Sequence, residues 1–397
     1  MLVDIDDDER RARLAQRHLL VSPTDDVEAI TDALVAVHSS DPATVFLTYW
    51  ARMRHPSVAA VAAALYESGR LVRHHGMRRT LWVTSVPMAR AMHASTTRDL
   101  VAVERRRQIK DLTATGVADP EAWLENGSAA VVAALAEKGP LSARELGKVL
   151  PEVAQKVKLS AGTTYAVVAS AHTRLLTLLG FEGRLVRERA SGSWVGSEYR
   201  WQVTPDDLEL DSLEVRPAAA ALAAAYVAQF GPVTTADVAW WAGWTKARTK
   251  QALADADVRG VTVSTGQAWV SAADVAPKDP GPWVAVLPSL DASAMGWKDR
   301  AWYLPSWAWD AFDMGEGVGN AGPTIWVDGR IVGAWAQKPD GELVTHWFEK
   351  VAPARRSEVA DRLETVRSWL GGRVVKPRFP GRIQASLLSD PSAAAGE

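Results

Sequence analysis

One stretch of this chain occurs twice in recognisable form: Gly139-Pro140-Leu141-Ser142-Ala143-Arg144-Glu145-Leu146 returns as Gly231-Pro232-Val233-Thr234-Thr235-Ala236-Asp237-Val238. In each copy Gly-Pro halts an Ala-rich helical run, and Ser142 or Thr234 offers an N-cap oxygen. The acid that follows, Glu145 or Asp237, stands where a capping-box partner folds back onto the cap. A further helix is expected over 160–179 after the first copy and over 246–256 after the second. Each is followed by a strand pair: 183–189 with 199–203, turning near Ser191-Gly192-Ser193, and 258–263 with 267–270, joined through Thr265-Gly266. Helices followed by a hairpin make a winged helix, so one module has been used at least twice.

Periodicity extends this pattern towards the N-terminus. Helices are expected over 10–20, 27–37 and 56–69, and a basic hairpin over 70–83 turns near His75-Gly76. A long connecting helix over 87–124 then leads to Asn126-Gly127-Ser128, which is expected to open the next module. After Pro277-Lys278-Asp279-Pro280-Gly281-Pro282 the texture changes to strands. These are 283–290, a hairpin over 325–335 with a type I′ Asp328-Gly329 turn, and 343–348 after the Asp340-Gly341 turn. A helix over 353–370 and a Ser/Ala/Gly tail end the chain. The expected class is α+β: tandem winged-helix (helix-turn-helix plus hairpin) modules followed by a small antiparallel β-sheet or barrel. The expected divisions are 1–125, 126–210, 211–280 and 281–388, with 389–397 a disordered tail. With 397 residues the chain is too long for one core, which fits several such modules.

Composition narrows the chemistry. The chain has no Cys, so disulfides, thiolate metal sites and cysteine nucleophiles are excluded. Its eight His lack zinc-like spacing, and neither a metal nor a cofactor is expected. No apolar run approaches a membrane span, and the acidic start Asp4-Ile5-Asp6-Asp7-Asp8-Glu9 is the opposite of a signal peptide, so a cytoplasmic protein with no membrane partner is expected. The net charge of −2 means that any nucleic-acid surface must come from local segregation of charge. Arg70 to Arg79 contains no acid, and Arg184, Arg187 and Arg189 cluster on an expected wing. The 18 Trp are several times the usual share; most are expected in cores or over hairpins, with a minority left to stack on bases.

The segment Val37-His38-Ser39-Ser40-Asp41-Pro42, followed by Tyr49-Trp50-Ala51-Arg52, resembles the winged-helix DNA glycosylases of the AlkZ/YcaQ type, which excise alkylated bases and unhook interstrand crosslinks. The later Leu287-Pro288-Ser289-Leu290-Asp291, Gly296-Trp297-Lys298-Asp299-Arg300 and 327–335 are similar to that family's C-terminal elements, so the resemblance covers most of the chain. Where the family carries Gln, one residue, then Gln or Asp, this chain has His38 and Ser40, with Asp41 the nearest carboxylate. The resemblance implies that these residues hold a water for attack at C1′ while positive charge builds on the sugar. A neutral His38 is suited to accept a proton from that water, Ser40 only to hydrogen-bond, and Asp41 either to substitute as the acid or to cap the following helix. The implied partner is double-stranded DNA, bound by a monomer. Arg73, Arg78, Arg79, Arg184, Arg187, Lys298 and Arg300 are the candidate DNA-binding residues, the last two with an alternative role in ion pairs to Asp299 and Asp291. A non-catalytic DNA-binding regulator or damage sensor, and a protein-interaction scaffold, stay open as alternatives.

Overall fold

A computed structural model of the chain describes residues 2–159, 167–196, 198–312, 319–378 and 380–389. In chain order the helices and strands begin with α1 (Asp7–Arg17), α2 (Val27–Leu34), β1 (Val37–His38), α3 (Pro42–Trp50) and α4 (Val58–Tyr66). Next come β2 (Leu71–His75), β3 (Leu81–Ser85), α5 (Val86–Met92), a π turn at His93–Thr97, α6 (Arg98–Ala114) and α7 (Pro120–Lys138). They are followed by β4 (Leu141–Ser142), α8 (Ala143–Val149), β5 (Lys156–Leu159), β6 (Val167–Ser170), α9 (Ala171–Phe181), β7 (Leu185–Ala190) and β8 (Tyr199–Val203). The rest are α10 (Val215–Phe230), α11 (Thr235–Ala242), α12 (Lys246–Asp255), β9 (Val258–Val263), β10 (Gly266–Ser271), β11 (Val284–Leu287), α13 (Ala292–Met295), α14 (Trp309–Phe312), β12 (Thr324–Val327), β13 (Arg330–Gln337), β14 (Leu343–Trp347), α15 (Pro353–Leu370) and α16 (Arg382–Ser389). The chain forms two compact units: Leu65–Leu222, and a second made of Met1–Ala64 with Ala223–Glu397.

In the unit spanning Leu65–Leu222, the first echo copy performs as its residues suggest. Ser142 Oγ accepts the Glu145 amide at 3.2 Å and Glu145 returns a carboxylate to the Ser142 amide at 2.7 Å, closing a capping box on α8. The strands β4, β8 and β7 form one antiparallel sheet. Leu135, Leu146, Leu175, Leu179, Leu185 and Trp201 bring α7, α8, α9 and this sheet into one apolar core. Two expectations need correction. The helix expected over 160–179 begins only at Ala171, because Val167–Ser170 pairs with Lys156–Leu159 as a hairpin; 160–166 lie outside the described residues. Lys-Val-Lys-Leu alternates exposed and buried, which is a strand's period of two. The single connecting helix over 87–124 is instead α5, the π turn and α6, and Asn126-Gly127-Ser128 lies inside α7, where Gly127 lets Leu175 approach.

The other unit is built around aromatic rings. Tyr226 stacks on Trp241 at 4.4 Å, Phe230 meets Trp297 at 5.2 Å, and Tyr303 stacks on Trp326 at 5.4 Å. Most Trp are spent in this way, whereas Trp307 is 63% exposed. The second echo copy again closes a capping box, Thr234 with Asp237, on α11, and β9 pairs with β10 across Ser264-Thr265. The strands β11, β12, β13 and β14 form an open antiparallel sheet in that order, not a barrel. Val327 pairs with Arg330, so Asp328-Gly329 is the whole loop, and both residues have positive φ, 48° and 82°, as a type I′ turn demands. The acidic start is a helix start: Asp6 caps α1 and Asp7, Asp8 and Glu9 fill its first turn. Of the tail expected over 389–397, Ser389 ends α16, and 390–397 lie outside the described residues.

Candidate functional site

The segment that carries the family-like motif is held under backbone strain. α2 stops at Val35, whose φ of 60° and ψ of −49° are rarely tolerated by a β-branched residue. The Ala36 amide donates to Leu34 O at 2.6 Å around it, which makes a tight γ-turn of the strained hand. The chain then extends through β1, so His38 is buried, with 4% exposure. Its Nδ1 accepts the Ser40 backbone amide at 3.4 Å. With Nδ1 accepting in that contact, a neutral ring carries its proton on Nε2.

Asp41 is the cap that its position before Pro42 suggests, and it also borders a cavity. Its Oδ1 accepts the Ala43 amide at 3.2 Å, and Pro42 starts α3 with the φ a helix needs. Its Oδ2 accepts the Arg378 amide at 3.3 Å. Burial pushes the Asp41 carboxyl above the ordinary aspartate range, and the amides of Arg378, Ala43 and Thr44 and the Arg378 charge offset this only in part. The side chain borders a small pocket, partly open to solvent, whose walls include Pro288, Pro323, Trp335 and Gln337. His38 and Ser40 do not line it.

α3 is kept against the strand region by contacts in which sequence reasoning assigned no role. Arg52 and Asp291 are both fully buried and meet through two bonds, at 2.9 and 2.8 Å. Arg52 also donates to His18 O, Thr48 O and Ser293 Oγ, leaving the guanidinium well satisfied. Burial alone would raise the Asp291 carboxyl, but Arg52 and the Ser293 amide outweigh it and hold it low. Thr44 Oγ1 donates to Ser289 O at 2.9 Å, and Trp335 Nε1 donates to Leu287 O at 2.9 Å. The signal was in the sequence: Arg52 ends a helix buried along its whole length, where a charge needs an acid.

The basic candidates fall into two groups. Arg73 is 4% exposed; its guanidinium lies over Tyr199 at 4.6 Å and Tyr66 at 5.4 Å and donates to the Tyr66 hydroxyl. Arg187 lies over Trp201 at 3.7 Å. Arg300, 2% exposed, lies over Trp309 at 4.8 Å and donates to the carbonyls of Trp297 and Gly319. The remaining candidates reach solvent. Arg78 and Arg79 form the left-handed turn between β2 and β3, with φ of 53° and 64°, and Arg79 pairs with Glu104 at 3.1 Å. Arg184 is exposed beside Glu182, and Lys298 is exposed while its amide donates to Asp237. Asp299 caps the Ala301 amide, and Asp291 is committed to Arg52.

Among curated protein sequences none matches the chain. A solved structure, the Streptomyces sahachiroi DNA glycosylase AlkZ, is similar with a TM-score of 0.67 at 19% identity, covering 93% of this chain and 97% of that one. The fold described above is thus shared with that enzyme. The family model for AlkZ-like DNA glycosylases matches residues 31–369, from the strained turn before His38 to the end of α15. The chain belongs to the AlkZ-like DNA glycosylase family.

Proposed function

We propose that this protein hydrolyses the N-glycosidic bond of alkylated or genotoxin-adducted purines in duplex DNA, as a monomer and without a cofactor. The observation that carries this reading is the turn 38–41, on which His38 and a buried carboxylate, Asp41 at the rim of a cavity, occupy the place of the family motif. In an N7-alkylated guanine the base is already cationic. When the C1′–N9 bond breaks, its electron pair neutralises the purine, and water adds its oxygen to C1′. His38 Nε2–H holds that water by donating to its oxygen, and Asp41 takes the proton the water loses. A carboxylate has about four acceptor sites, and three backbone donors still leave room for that proton. A carboxyl pushed up by burial is also the stronger base. The products are an abasic site and the neutral base. Arg78, Arg79, Arg184 and Lys298, which reach solvent, are the side chains this reading assigns to phosphates.

The test is single-turnover incubation with duplex DNA carrying one N7-methylguanine, followed by alkali to reveal abasic sites, alongside His38→Ala and Asp41→Asn. Release by the parent protein and its loss in both variants supports the reading. Tight duplex binding with no release from this lesion or from a bulkier N7 adduct overturns it.

A further inference from the structure

The cavity at Asp41 has one wall that the family model does not include. The match ends at residue 369, yet Leu370, Val375, Pro377 and Gln384 line the cavity and Arg378 reaches the turn 38–41. The segment is tied down at both ends of its approach. Gln337 of β13 donates from Nε2 to Arg373 O at 2.9 Å and accepts the Val375 amide on Oε1 at 2.8 Å. Arg378 then bonds twice to the motif: its amide to Asp41 Oδ2 at 3.3 Å and its guanidinium to Ser40 O at 3.1 Å. The Ser40 amide in turn is the donor that sets the His38 ring. One residue beyond the family match therefore touches both peptide groups and side chains on which the proposed chemistry depends.

We propose that Arg378 is a positioning residue for base excision, and that the segment 373–378 is a strap that holds the turn 38–41 in its working geometry. This rests on the reading of Asp41 and His38 given above. Through the Ser40 carbonyl the guanidinium holds the residue whose own N–H meets the His38 ring, and through its own amide it holds the Asp41 carboxylate. It contacts no reacting atom. Arg378 is exposed, so its replacement leaves the cores of the fold intact. Its charge also lowers the Asp41 carboxyl against the effect of burial, so removing it moves that group further up.

The experiment uses the full-length chain as parent, Arg378→Ala and Arg378→Lys, with two readouts. The first is single-turnover release of N7-methylguanine across pH at saturating enzyme. Arg378→Ala is expected to slow release roughly 10- to 100-fold while the duplex Kd stays unchanged, as befits a misplaced reacting group. Its acid limb is expected to move to higher pH, and Arg378→Lys to recover part of the rate. The second is amide hydrogen exchange over residues 36–44, expected to quicken in Arg378→Ala and to be partly restored by Lys. Unchanged exchange and an unchanged rate in Arg378→Ala overturn the strap. A parent protein that releases no base, with exchange that still responds to Arg378, overturns the glycosylase reading and leaves the strap as a structural tie only.

Discussion

Arg52 and Asp291 meet as a fully buried two-pronged ion pair, although 239 residues separate them in the chain. The pair joins the helix that starts at Asp41 to the loop after β11. Removing one partner strands the other charge in an apolar interior. Asp291→Ala is therefore expected to cost about 3–5 kcal/mol, and Arg52→Met combined with Asp291→Leu to recover much of that loss. Urea denaturation of both variants checks this; a double variant no more stable than the single one would show that the pair is needed for more than charge compensation.

The role proposed for His38, a donor through Nε2, is one that a Gln amide also fills. His38→Gln is expected to keep base release within about tenfold of the parent, whereas His38→Ala loses on the order of a hundredfold. In the proposed reaction Asp41 acts ionised, so the rate should fall on the acid side from a pH above the ordinary aspartate value of about 3.9. Single-turnover rates corrected for spontaneous depurination give both answers.

Buried neutral histidines make the fold acid-sensitive. His18, against Phe230 and Trp297, and His75, against Phe181 and Trp201, are each held down to about 3 by desolvation first, then by nearby arginine charge. The unfolded chain takes up these protons near pH ~6.5, so it binds more protons than the native state below that value. Stability is thus full above it and declines as pH falls towards the native values, by up to about 1.4 kcal/mol per pH unit for each histidine. Urea midpoints measured between about pH 7 and about pH 5 should show the slope, and His75→Phe should flatten it by one proton.

Arginines stacked between rings and arginines in solvent should answer differently to salt. Arg187→Ala is expected to cost about 1–2 kcal/mol of stability through its contact with Trp201. It should leave the salt dependence of duplex binding unchanged. Lys298→Ala should do the reverse, reducing the magnitude of the slope of log K against log salt by about 1 with little change in stability. Binding titrations over a range of salt, paired with melting curves, separate the two.

The two capping boxes are alike in sequence but unequal in consequence. Ser142→Ala should cost about 1 kcal/mol, an ordinary cap. Thr234→Ala is expected to reach the upper end, about 2 kcal/mol, because its partner Asp237 also accepts the amides of Lys298 and Asp299. Thermal melts of the two variants side by side test the ranking.

Much of the local structure was legible because short-range chemistry decides it. Both capping boxes, the Asp328-Gly329 turn and α15 depend on neighbours in sequence. The β5–β6 hairpin was not legible, since its four-residue strands are outweighed by the helical leucine spacing of α9. The arginine clusters and the surplus of Trp were read as two separate signals, one for the surface and one for the core. In Arg73, Arg187 and Arg300 they are one, as guanidinium planes lie on aromatic faces. Arg378 lay beyond any motif, because only folding brings it to Ser40 and Asp41.

The unit Leu65–Leu222 interrupts the other one, and this has a consequence for synthesis on the ribosome. A chain emerging at about 5–20 residues per second makes Arg52 roughly 10–50 s before Asp291 exists to neutralise it. Through that interval the segment 1–64 has no partner for its buried faces, while the inserted unit can already complete its own core. The nascent chain can therefore complete its middle before its flanking segments meet, and the turn 38–41 gains its ties to Arg378 only near the end of synthesis.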